Sequence, residues 1–105
     1  MVQFDVHKNP NPASKRRIPY LLDVQTDLLG SLATRVVVPL AKPEVLGGMA
    51  ARRLNPVFEV DGAPVVMLTP ELAGVSSRVL GTRVANLADH RAEIIAALDL
   101  VFTGY

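Results

Sequence analysis

Cysteine is absent from the 105 residues. That excludes disulfide frameworks, thiolate nucleophiles and cysteine-ligated zinc together. An excess of charge of either sign is also missing: 11 Lys+Arg stand against 10 Asp+Glu, for a formal net charge of +1. Bulk electrostatic binding of nucleic acid needs many uncompensated cations over phosphates, and this chain does not carry them. Uninterrupted apolar runs last only a few residues, far below the length of a membrane span. The start, Met1-Val2-Gln3-Phe4-Asp5-Val6, has neither a basic region nor an apolar stretch and does not read as a signal peptide. A cytoplasmic protein is the expectation. What is present is apolar: 50% of residues are hydrophobic, 20% are charged, and the mean hydropathy is +0.29. This composition excludes a disordered polyelectrolyte, and the length allows one domain over residues 1–105. So apolar a chain of this size implies burial shared with a second copy, most simply in a two-fold dimer.

The hydrophobic pattern reads as strands followed by one helix. Val2, Phe4 and Val6 alternate with Gln3, Asp5 and His7, which predicts a strand with one buried face. Lys8 to Arg17 carries Pro10, Pro12 and the run Lys15-Arg16-Arg17 and predicts a loop. Ile18 to Val24 is apolar on both sides and predicts a more deeply buried strand, paired with the first as a hairpin. Gln25 to Thr34 is irregular and leaves Leu28 and Leu29 in a polar setting, exposed. Arg35 to Leu40 is a strand centred on Val36-Val37-Val38 that ends at Pro39, and Lys42 to Arg53 is a loop with at most a short turn. Val57 to Val60 and Pro64 to Leu68 flank Asp61-Gly62, the residues a tight hairpin turn demands. Thr69-Pro70-Glu71 reads as a short helix start with Thr69 as N-cap. Arg78 to Val84 reads as a last strand, bent at Gly81. Leu87 to Phe102 has no Gly or Pro, and Leu87, Ile94, Leu98, Val101, Phe102 and Tyr105 form one apolar helical stripe, with Asn86 or Asp89 to cap its start. This helix is expected to lie on the sheet.

No catalytic constellation emerges. His7 and His90 are the only histidines and stand far apart. The serines lack the nucleophile-elbow context, and Gly47-Gly48 lacks the Lys-Ser/Thr of a phosphate loop. Asp23 and Asp27 form an acid pair with no further support. Lys15-Arg16-Arg17 is the composition of a solvated loop tip as much as of a binding site. The C-terminal Phe102-Thr103-Gly104-Tyr105 reads either as an aromatic cap on the core or as a protruding apolar tip that enters a partner.

Several segments, in order and at matching spacing, resemble the CcdB family of toxins. They are Gln3-Phe4; Tyr20 to Leu29, as Y-L-L-D-V-Q-T-D-L-L; Val37-Val38-Pro39-Leu40-Ala41; Leu54-Asn55-Pro56-Val57; Met67-Leu68-Thr69; and Ile94 to Gly104, an apolar helix ending in Phe-x-Gly. The resemblance spans nearly the whole chain. It implies a mainly β fold with a C-terminal α-helix, an SH3-like barrel of the CcdB and Kid toxin type, built from an antiparallel sheet plus a small subsidiary sheet. It implies a homodimer with no cofactor and no metal, and a protein that is not an enzyme. Such toxins bind the DNA gyrase A subunit and trap the gyrase–DNA cleavage complex. They serve plasmid maintenance, and a cognate antitoxin (CcdA-like) neutralises them through a disordered segment. The toxin–antitoxin complex represses its own operon, so operator DNA is a partner only through the antitoxin.

Carried over residue by residue, the resemblance places the gyrase contact at Thr26, Leu28, Leu29, Ala92, Ile95, Asp99, Phe102, Thr103, Gly104 and Tyr105. It places the antitoxin contact on two loops, at Lys8, Asn9, Lys15, Arg16 and Arg17 and at Lys42, Glu44 and Leu46. The best-known members end in Trp-Gly-Ile where this chain has Thr103-Gly104-Tyr105, and Ile95 and Ala96 stand where polar residues are common. One rival reading is a same-fold endoribonuclease of the Kid/MazF type. Arg35, Arg52 and Arg53 would serve it, but the R-G-D-type strand opening is missing. Another is a degenerate member that keeps antitoxin binding without gyrase poisoning.

Overall fold

The structure is a computed structural model and describes residues 2–48 and 51–104. Among the described residues seven strands make one antiparallel sheet: β1 Asp5–Lys8, β2 Tyr20–Asp23, β3 Thr34–Ala41, β4 Val57–Val60, β5 Ala63–Met67, β6 Ala73–Ser76 and β7 Arg83–Asn86. One helix, α1 Arg91–Thr103, follows. The main path runs β4-β5-β3-β2-β1-β7, and β6 joins β3 beside it. The sheet curls into a half-barrel.

β3 holds the architecture together because it is long enough to change partners. On one side it pairs with β2 throughout, from Tyr20 opposite Leu40 to Asp23 opposite Val37. On the other side Thr34 to Val37 pair with β6, and Leu40 and Ala41 pair with β5. The expected end at Pro39 is therefore corrected: the strand passes through it. A proline lacks the ladder donor, and here it sits in the gap between two partner strands, where its carbonyl accepts from Leu68 N at 2.9 Å.

The hairpin at Asp61-Gly62 forms as the sequence predicts. Val60 pairs with Ala63, and both turn residues have positive φ, 53° and 80°. The first hairpin, β1 with β2, also forms, with Val6 opposite Leu22. Three expectations are corrected nearby. Val2 is exposed and Phe4 turns at φ 71°, so the first strand begins at Asp5. Thr69 is no N-cap. It is buried, its hydroxyl donates to Leu54 O, and Leu68 precedes a single 3-10 turn over Thr69–Glu71. Arg78 to Val84 is not one strand, since Ser77–Val79 form a 3-10 turn and β7 starts at Arg83.

The core gathers one parity of the central strands: Val6, Leu22, Val38 and Leu40, with Phe58, Val60, Val65 and Met67 from the second hairpin. The helix adds Ile94 and Ala97. Burying an Ile side chain contributes about 1.5–3 kcal/mol, so Ile94 is the principal rivet between helix and sheet. Asn86 Oδ1 accepts from Ala88 N at 2.8 Å just ahead of the 3-10 turn Ala88–His90 that leads into α1. The N-cap positions are Leu87 for that turn and His90 for α1, neither with a side-chain cap bond, so the expected cap by Asn86 or Asp89 is corrected. The expected apolar stripe docks only through its start. Leu98 and Val101 are half-buried, and Phe102 is 68% exposed, so the last turn of α1 runs past the body it was expected to cover.

Candidate functional site

Two polar pairs lie under the sheet, on the parity opposite the core. Asp23 and Arg35 are buried, and Arg35 Nε donates to Asp23 Oδ2 at 2.7 Å. Arg35 Nη1 and Nη2 have no partner among the described residues. Asp23 Oδ1 accepts from Gln25 N at 3.0 Å. Asp5 is also buried and accepts from Arg83 Nε at 2.7 Å, Asn86 Nδ2 at 2.9 Å and Val2 N at 3.0 Å. Burial alone would raise its pKa, but the bonds from Asn86, Arg83 and the Val2 amide, with the Arg83 charge, outweigh it and hold the carboxyl below its ordinary value.

That shift fixes a sign. A carboxylate with a depressed folded-state pKa adds stability above its unfolded pKa, about 3.9, and loses it as pH falls through the folded value. The wild-type chain is expected to lose Tm on acidification below about pH 4 more steeply than Asp5→Asn. Thermal scans of both proteins from pH 7 to pH 3 check this, and parallel curves would refute it.

These pairs overturn two sequence expectations. Asp5 and His7 do not face water, since both are buried and His7 Nδ1 lies 3.1 Å from Gly81 O. Asp23 and Asp27 are not a catalytic pair, because Asp23 is committed to Arg35 and Asp27 Oδ1 accepts from Gln3 N at 2.8 Å. His90 packs its ring on Phe58, with centroids 5.0 Å apart. Among the described residues no group of three or more His, Cys, Asp or Glu could hold a metal. No helix among them is long and apolar enough to cross a membrane.

Two exposed apolar elements stand out. The first is the 3-10 turn Asp27–Leu29, which buries none of its residues. Leu28 is 91% exposed there, Leu29 lies beside it in the open, and Thr26 Oγ1 caps the turn. The second is the free end of α1. Ala92, Asp99, Phe102, Thr103 and Gly104 are exposed and Ile95 is half-buried. Gly104 closes the helix in the left-handed region at φ 79°, with its N–H bonded to Leu100 O. Thr103 Oγ1 donates back to Asp99 O at 2.7 Å, so this side chain folds onto the helix instead of reaching outward. Tyr105 lies outside the described residues.

The basic residues assemble as a third surface. Lys8, Lys15, Arg16 and Lys42 line a shallow cavity of about 410 Å³. Arg16, Arg17, Lys42 and Glu44 line a neighbouring one of about 350 Å³. Asn9 and Leu46 of the same segments turn inward: Asn9 Nδ2 donates to Ile18 O and Ser14 Oγ, and Leu46 packs on Ala41, Val66 and Leu68. A larger cleft, about 600 Å³, lies over Leu21, Pro39 and Val75, away from both apolar elements.

The described residues thus form a small half-barrel with an undocked helix tip, an exposed leucine turn and a cationic loop pair. A family model described as CcdB protein matches residues 3–104. The chain belongs to the CcdB family and is a toxin of the toxin–antitoxin type. Members of this family are protein poisons and not catalysts.

Proposed function

We propose that the protein binds the DNA gyrase A subunit as a homodimer, traps gyrase on cleaved DNA, and is neutralised by an antitoxin whose acidic segment docks on the Lys8–Arg17 and Lys42–Leu46 loops. Family membership supports the target. The observation that carries the surface is that Leu28 and Phe102 are the two most exposed large apolar side chains among the described residues, at 91% and 68%, with Leu29 open beside the first. A dimer would offer two copies of this apolar surface to a two-fold partner, and apolar or aromatic anchors are the usual hot spots of such contacts. Poisoning needs only preferential binding of one gyrase conformation. The cationic loops complement an acidic segment, and charge pairing offsets the entropy that segment loses on ordering.

The test mixes the purified protein with gyrase, ATP and supercoiled plasmid, then adds detergent and protease, with a labelled messenger RNA in parallel. Linear plasmid with intact RNA is the expected result. Cut RNA with no linear plasmid would overturn it in favour of a ribonuclease.

A further inference from the structure

We infer that Gln25 is the positioning residue for the Leu28–Leu29 surface: its side-chain amide ties the exposed turn to the main sheet before any partner arrives. The inference rests on the reading above that these leucines contact gyrase.

β2 ends at Asp23, and the chain then leaves the sheet. The ladder to β3 continues for one more main-chain bond, Val24 N to Val36 O at 3.0 Å. The next rung is made by a side chain, as Gln25 Oε1 accepts from Val36 N at 3.0 Å. The other end of the same amide, Nε2, donates to Leu29 O at 3.0 Å. One planar group thus bridges the central strand and the turn. Gln25 is itself 7% exposed, and its main-chain N–H is held by Asp23, which Arg35 grips from the other side.

No residue of the Asp27–Leu29 turn is buried, and Leu28 is 91% exposed, so polar links carry much of its hold on the body. Apart from Gln25, the anchor from outside the turn is Gln3 N to Asp27 Oδ1, at the turn's opposite end. Cutting the bond to Leu29 O frees the half of the turn that carries the leucines. A turn that must be ordered during association binds more weakly than one already set, because the ordering cost is then taken from the binding energy.

Gln25→Glu separates the two roles of the amide. The carboxylate still accepts from Val36 N, but it cannot donate to Leu29 O and repels it. At pH 7 the variant is expected to keep slow-exchanging amides across the sheet, Val36 included, while the buried carboxylate lowers Tm and protonation at lower pH recovers it. The amides of Gly30 and Leu32, which close the turn onto Asp27 O and Leu29 O, are expected to exchange faster. Affinity for immobilised gyrase A subunit is expected to fall about tenfold, the scale of one hydrogen bond. Lowering the pH toward about 4.5 protonates the glutamate, restores a donor, and returns the Leu29 and Gly30 NMR positions toward wild type.

Unchanged exchange at Gly30 with unchanged affinity overturns the inference. So does a loss of protection across the whole sheet, which would make Gln25 a residue of the fold and not of the turn. Wild-type protein and Leu28→Glu run alongside. If the wild type does not bind gyrase, or Leu28→Glu binds as well as it does, the reading of the surface falls. The exchange and pH data then decide separately whether Gln25 holds the turn.

Discussion

Asp23→Ala is expected to destabilise the protein by about 3–5 kcal/mol, the cost of leaving a buried charge without its partner. Arg35 is 1% exposed, so its guanidinium cannot turn to water when the carboxylate is removed. The Gln25 main-chain N–H loses its acceptor at the same time. For a domain of this size each kcal/mol moves Tm by about 4–8 °C, so a fall of about 12–40 °C is expected. Thermal unfolding followed by circular dichroism measures it. The double replacement Asp23→Leu with Arg35→Met is expected to recover most of the loss, because removing both partners also removes the uncompensated charge. A single variant that melts within about 3 °C of wild type would show that the pair is far less enclosed than its burial indicates.

The second large effect is expected at the opposite extreme of burial. Gly104→Glu should abolish gyrase trapping while leaving the fold nearly intact. A Cβ at Gly104 meets nothing within 4 Å, so no steric clash arises. The position has φ 79°, and a side chain there costs on the order of 1 kcal/mol. In an apolar contact the new carboxylate would be buried without a partner, which is worth about 2 kcal/mol or more at a hot spot, a loss of at least about thirtyfold. The plasmid linearisation assay and a thermal scan of the same preparation read both quantities. Loss of the thermal transition would mean that the tip belongs to the core. Retained linearisation would remove Gly104 from the contact.

The two variants divide the molecule into a part that carries stability and a part that carries contact. Asp23 and Gln25 lie at the buried start of one short segment, with Arg35 of β3 against Asp23, and Leu28 and Leu29 lie at its exposed end. Five residues of chain therefore pass from the most enclosed polar pair to the most exposed leucine. The Thr103 side chain, bonded back onto the helix, leaves the tip with Phe102 as its large apolar group among the described residues.

The sequence by itself determined what local chemistry can specify. The Asp61-Gly62 hairpin follows from two residues that accept positive φ. The pairing of the first two strands follows from their apolar pattern and the proline-rich loop between them. The exposure of Leu28 and Leu29 follows from their polar, glycine-containing setting. Family membership was legible in the order and spacing of motifs along nearly the whole chain.

Only the tertiary structure decided which faces are covered. Period-two alternation tells a strand's two faces apart but does not say that both are buried, so Asp5 and His7 read as surface residues and prove to be interior. Pro39 reads as a strand end because its missing donor usually costs a ladder bond, and the partner change along β3 removes that cost. β6 was missed because Ala73–Ser76 has too little side chain to show a pattern, and it becomes a strand through pairing with β3. The stripe on α1 is uniform to its end, but where the helix leaves the sheet depends on the position of its neighbours. Burial is a property of what lies opposite, and a sequence records only what lies alongside.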